Sequence, residues 1–205
     1  MAKSSILDSD SRLSTAMGTA WELIRLNLLV LLCSVPLVTI GAAVTAMHYV
    51  LLKLVRKEDS YLTRDFFHAF RSDFGQATLL WLIKLAFVIP LGIQLMMLDM
   101  GQESGFPRAL SYAGLVAGFA VLVLLAFTFP LQSHFRNSLA GTLGNSLRLG
   151  LAKFPRAFVL AFIWALPAFF LLHVLAVFPL LLLLGISLPG YICCRLYEPV
   201  LKELE

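Results

Sequence analysis

The stretch from Trp21 to Lys57, WELIRLNLLVLLCSVPLVTIGAAVTAMHYVLLKLVRK, decides how the chain folds. It is almost entirely apolar. It is too long for one straight crossing of a ~30 Å hydrocarbon layer and slightly short for two generous ones. Pro36 lacks a backbone donor and breaks the run, and Thr39-Ile40-Gly41 offers a fresh start. The reading is a tight hairpin of helices over 20–37 and 42–57, with Arg25 and Lys53 snorkelling at its ends.

Working outward, the 205 residues are 60% hydrophobic and 14% charged, with a mean hydropathy of +0.87. So few charges cannot coat a water-soluble globule. This excludes an ordinary soluble enzyme, a disordered chain and a disulfide scaffold, and leaves an integral membrane protein. Four further apolar runs, 76–98, 110–132, 156–173 and 178–197, can each cover the bilayer. The expected fold is all-α, a polytopic transmembrane bundle in one membrane domain over 1–205, with six spans favoured over five. A polar segment, 1–19, precedes the first span and carries no cleavable-signal pattern.

Charge distribution gives the orientation. Lys53, Arg56, Lys57, Arg64 and Arg71 fall in one loop region, and Arg136, Arg148, Lys153 and Arg156 in another. The loop at 99–109 has Asp99, Glu103 and only Arg108. The positive-inside rule places the two basic regions in the cytoplasm. Arg195 and Lys202 put the C-terminus there, and Lys3, Arg12 and Arg25 the N-terminus, which requires an even number of spans. The net charge of +4 therefore reflects topology and calls for no nucleic-acid partner.

Two amphipathic stretches flank spans on the cytoplasmic side. Over 64–75, Phe66, Phe67, Phe70 and Phe74 share one helical face, opposite Arg64, His68 and Arg71. Over 137–154, Leu139, Leu143, Leu147 and Leu151 recur every fourth residue, extended by Phe154. The simpler reading is a helix lying in the headgroup layer. The sharper one is a docking surface for a cytoplasmic partner, contacted by Phe66, Phe70, Arg71, Phe74, Leu143, Leu147, Arg148 and Phe154.

Within the spans, ionisable and polar groups are functional candidates because burying them in lipid is costly. Lys84 is the foremost, either pairing inside the bundle or, the favoured reading, snorkelling to the interface. His48 suits an interhelical hydrogen bond, and Gln94 joins these two as a cavity-lining candidate. Glu22 and Arg25, at i and i+3, pair on one helix. Gly114 and Gly118 form a G-x-x-x-G for close helix packing, with a homo-oligomer interface as the alternative. Pro36, Pro90, Pro130, Pro167 and Pro189 kink or end helices. Arg64–Pro90 and Asn145–Pro167 echo each other weakly, each an amphipathic stretch running into a proline-ended span. Cys33, Cys193 and Cys194 lack metal-site spacing and read as small apolar fillers. No nucleotide-binding, zinc-hydrolase or redox motif is present. The expectation is a non-enzymatic protein without catalytic, cofactor or metal residues.

The segment Asn27–Gly41 with Thr45-Ala46 and Lys53-Leu54-Val55-Arg56-Lys57-Glu58 resembles the bacterial YesL-like family. So do Phe66-Phe67, Phe70-Arg71 and Phe74, then Phe129-Pro130-Leu131, Phe135, Asn137-Ser138-Leu139, Phe154-Pro155-Arg156 and Glu198-Pro199-Val200. Ala42 departs from the proline expected after Gly41. The resemblance implies a multi-pass protein of the bacterial plasma membrane with unknown biochemical function. It also implies frequent encoding beside carbohydrate-import and glycan-degradation genes, hence an accessory role with ABC permease and ATPase subunits as partners. A small stand-alone transporter or channel and a membrane-bound sensor or regulator are the rival expectations.

Overall fold

The computed structural model describes residues 2–99, 108–135, 137–173 and 178–203. Among them every regular element is helical: α1 (Ala2–Cys33), α2 (Ile40–Arg56), α3 (Leu62–Ser72), α4 (Phe74–Asp99), α5 (Arg108–Leu124), α6 (Thr128–His134), α7 (Leu139–Ala152), α8 (Phe154–His173), α9 (Phe178–Leu184) and α10 (Ser187–Lys202). Most of the acidic loop at 99–109 and of the last turn at 173–179, together with Arg136, lies outside the described residues.

Leu37–Arg56, Phe74–Met97 and Tyr112–His134 are long and apolar enough to cross a membrane, and α7 with the start of α8 makes a fourth if counted as one bent span. The outer surface agrees with lipid contact. On α4, Leu82, Phe87, Ile89, Ile93 and Met96 are all exposed, an apolar face that water would disfavour.

The core forms around α2, whose residues from Gly41 to Leu52 are buried apart from half-buried Tyr49. A helix apolar on every face belongs inside, and α2 packs against α1, α3, α4, α6 and α10. Its approach to α4 depends on Gly41. A Cβ there would collide with the Ala77 carbonyl and lie 2.5 Å from the Trp81 Cβ.

Helix ends follow the prolines. A proline ring clashes with the carbonyl four residues earlier and donates no hydrogen bond. Accordingly, α1 stops at Cys33 ahead of Pro36, the chain between α5 and α6 breaks at 125–127 ahead of Pro130, and that between α9 and α10 breaks at 185–186 ahead of Pro189. The runs 110–132 and 178–197 are thus interrupted helices. Pro90 and Pro167, by contrast, lie within α4 and α8.

Several boundaries differ from the sequence reading. The polar N-terminal stretch is continuous with α1, since no proline and no glycine before Gly18 stops a helix there. The amphipathic stretches are shorter: Phe74 and Phe154 open α4 and α8, because Asp73 and Lys153 leave helical geometry just before them. Ser138 starts α7, its hydroxyl accepting from the Gly141 N–H at 3.2 Å.

Charged side chains gather at one end. Lys53 of α2 meets Asp65 of α3 at 3.0 Å, Arg56 meets Glu198 of α10 at 3.7 Å, Lys202 meets Glu198 at 2.6 Å, and Lys153 meets Glu203 at 2.8 Å. The Gln76 side chain donates to the Asn137 carbonyl at 2.8 Å. The C-terminal ends of α2 and α10, helix α3, the start of α4 and both ends of α7 therefore share one layer.

Candidate functional site

Inside the bundle, His48 is 1% exposed, and its Nδ1 lies 2.9 Å from the hydroxyl of Tyr197 on α10. Trp164 of α8 meets the imidazole edge-on, with ring centroids 5.8 Å apart. The three side chains tie α2, α8 and α10 together around a fully buried polar pair.

Lys84 projects from the middle of α4 and holds its ammonium 4.4 Å from the centroid of the Phe129 ring on α6. The ring quadrupole attracts the charge, and among the described residues no carboxylate forms an ion pair with it. The sequence favoured snorkelling to the interface; the contact the structure shows is with the ring of a neighbouring helix. Gln94 belongs elsewhere, ten residues or about 15 Å further along α4. A Cβ at Gly114 would lie 3.4 Å from its Nε2, and one at Gly118 3.2 Å from the Leu91 Cδ1. The two glycines therefore seat α5 against α4 within one chain.

The break between α9 and α10 is served by a residue the sequence reading passed over. Asn27, 0% exposed, donates to the Leu182 carbonyl at 2.8 Å and accepts from the N–H groups of Ile186 at 3.0 Å and Ser187 at 2.9 Å. It satisfies both sides of the interruption at once, which irregular backbone at membrane depth requires. The available signal was one amide within a leucine run.

The α5–α6 break has a similar brace. The Thr128 hydroxyl donates to the Leu125 carbonyl at 2.7 Å, and Ser146 of α7 donates to the Leu124 carbonyl at 3.2 Å. Thr142 donates to the Gln132 Oε1 at 3.2 Å. A Cβ at Gly150 would fall 2.7 Å from the Leu124 oxygen. The buried stripe of α7 is thus Thr142, Ser146 and Gly150, small residues four apart, and not the leucine stripe.

This redistributes the docking candidates. Phe66 is fully buried and Phe70 half-buried against the bundle, so Phe66 offers no surface to a partner, having been spent on the core. Arg71, Phe74, Arg148 and Phe154 are exposed; Leu143 is half-buried and Leu147 exposed. On α3, burial pushes the Asp65 carboxyl up, but hydrogen bonds from Lys53 and Ser60 outweigh it and hold the group below the ordinary aspartate value. Among the described residues no group of three or more His, Cys, Asp or Glu side chains could hold a metal ion. Cys193 and Cys194 are buried and Cys33 half-buried.

Residues 23–95 match the model of a family described as a protein of unknown function, DUF624, which is the YesL-like family. No curated protein and no solved structure matches the chain.

Proposed function

With residues 23–95 matching the DUF624 family model, we propose that the protein is a non-enzymatic component of the bacterial plasma membrane, with six spans and both termini in the cytoplasm. Its role is that of an accessory subunit in a binding-protein-dependent carbohydrate importer. The observation that carries this reading is the outer face of α3. Phe66, Ala69 and the Lys53–Asp65 bridge fasten the helix to the charged end, leaving Arg64, His68 and Arg71 exposed on a face the bundle does not use. A fixed basic helix beside the membrane suits an acidic surface on an ATPase or permease subunit. Co-purification in mild detergent from the native host tests it. Importer subunits should accompany the wild-type chain and be lost from an Arg64→Glu/Arg71→Glu variant; a chain that purifies alone overturns the reading.

One observation favours a second reading, a small stand-alone transporter. The Lys84 ammonium faces Phe129 inside the protein, between α4 and the interrupted helices, and intramembrane cations mark solute pathways in many carriers. Liposomes holding only this protein should then show solute flux that Lys84→Leu alters. Absence of flux removes this alternative.

A further inference from the structure

The elbow between α7 and α8 has a surface that the docking reading, as placed on the outer face of α3, and the transporter reading leave free. The two helices meet at 109°. Both ends of α7 belong to the charged layer, one through the Gln76–Asn137 bond and the other through Lys153–Glu203. With both ends in that layer, α7 runs along it, near the height of the headgroups. Its inner stripe is occupied by the α5–α6 break. Its outer side exposes Leu147 and Leu151, the latter 66% exposed, followed across the elbow by Phe154 at 48% and Phe158 at 44%. Leu147 and Leu151, four apart, share one face of α7, and Phe154 and Phe158, four apart, one face of α8, so each helix brings an exposed apolar pair to the elbow.

Two arginines accompany these pairs. Arg148, on the outer face of α7, is exposed, and among the described residues no carboxylate forms an ion pair with it. Arg156 is exposed in the first turn of α8. Nearby, Lys153 already holds Glu203, whose carboxylate also feels the field of Arg156. An exposed apolar pair on each helix, accompanied by guanidinium groups at headgroup height, is complementary to one chemistry: acyl chains beneath a phosphate of net negative charge. Guanidinium binds phosphate through paired, charge-assisted hydrogen bonds.

We propose that the α7–α8 elbow binds an anionic phospholipid of the surrounding bilayer, its acyl chains along Leu151, Phe154 and Phe158 and its phosphate held by Arg148 and Arg156.

Native mass spectrometry of the intact protein, released from nanodiscs of mixed phosphatidylglycerol and phosphatidylcholine, tests this. The wild type should retain phosphatidylglycerol in preference to phosphatidylcholine. Arg148→Gln/Arg156→Gln should weaken that retention roughly thirtyfold, the effect of removing two surface cations. Arg64→Gln/Arg71→Gln, on the outer face of α3, should leave it unchanged. Equal retention of both lipids by the wild type, or equal loss in both double variants, overturns the proposal. An acidic partner peptide displacing phosphatidylglycerol from the wild type and from the α3 variant alike would show a protein-docking elbow and overturn it too. Thermal unfolding of each variant in detergent identifies any that fails to fold. In that event Arg148→Lys/Arg156→Lys, which keeps charge and loses the paired geometry, must show intermediate retention for the proposal to stand.

Discussion

Replacing Asn27 with leucine should unfasten the α9–α10 interruption while leaving side-chain volume nearly unchanged. Three backbone groups lose their partner: the Leu182 carbonyl and the N–H groups of Ile186 and Ser187. A buried polar group left unpaired costs about 1–3 kcal/mol, whereas hydrogen bonds inside membranes contribute on average only about 0.6 kcal/mol each. The three together give a loss of roughly 2–9 kcal/mol. For a chain of this size that lowers the unfolding midpoint by at least about 4 °C. Cys193 and Cys194, 1% and 0% exposed, lie on α10 just beyond the break, so a thiol-reactive fluorophore added during a thermal ramp in detergent reports its release. Leu28→Ala, one residue along on the exposed side of α1, is the control and should shift the midpoint far less. An Asn27→Leu midpoint within about 1 °C of the wild type would refute the reasoning, because the interruption would then be held by something other than this amide.

Other outcomes follow from the same geometry. Gly41→Leu should prevent α2 from seating on α4, since even a Cβ meets the Ala77 carbonyl and Trp81; overpacking costs about 1–3 kcal/mol or more, read as loss of monodisperse protein on size exclusion. Ser146→Val should destabilise by about 1 kcal/mol through the lost bond to Leu124, and Gly150→Val by more; equal midpoints for the two would contradict the close approach of α7 to the break. The Asp65 carboxyl titrates below its ordinary value when folded. Its contribution is thus fully present above that ordinary value and is lost as pH falls through the folded value. Asp65→Asn should therefore flatten the acid limb of a stability–pH curve, while an unchanged limb would show the Lys53 bridge to be energetically idle.

The legible part of the fold was its periodicity and its prolines. Hydropathy marked the apolar runs, and the break after Cys33 was readable because Pro36 sits beside polar Ser34 and Thr39. The basic regions that share the charged layer were likewise visible as charge clusters. The interruptions ahead of Pro130 and Pro189 were not placed, since a proline in an apolar run equally suits a kink, as Pro90 and Pro167 show. Asn27 was overlooked because its partners lie more than 150 residues away. On α7 the leucine repeat concealed the packing stripe, for at a membrane surface large apolar residues can face lipid while small ones face protein. The aromatic face of α3 was found, but its strongest hydrophobe, Phe66, serves the chain's own core.

The central claim is a lipid-embedded helical bundle whose α2 and α10 ends and α6–α7 loop meet in one charged layer on a single face of the membrane. Single cysteines at Lys57, Ser138 and Glu203, introduced into a Cys33→Ala background and exposed to a membrane-impermeant maleimide, test it most directly. In sealed inside-out vesicles all three should label, and in intact right-side-out spheroplasts none should. Labelling of any one from the opposite side, or recovery of the protein in the soluble fraction, would contradict the account.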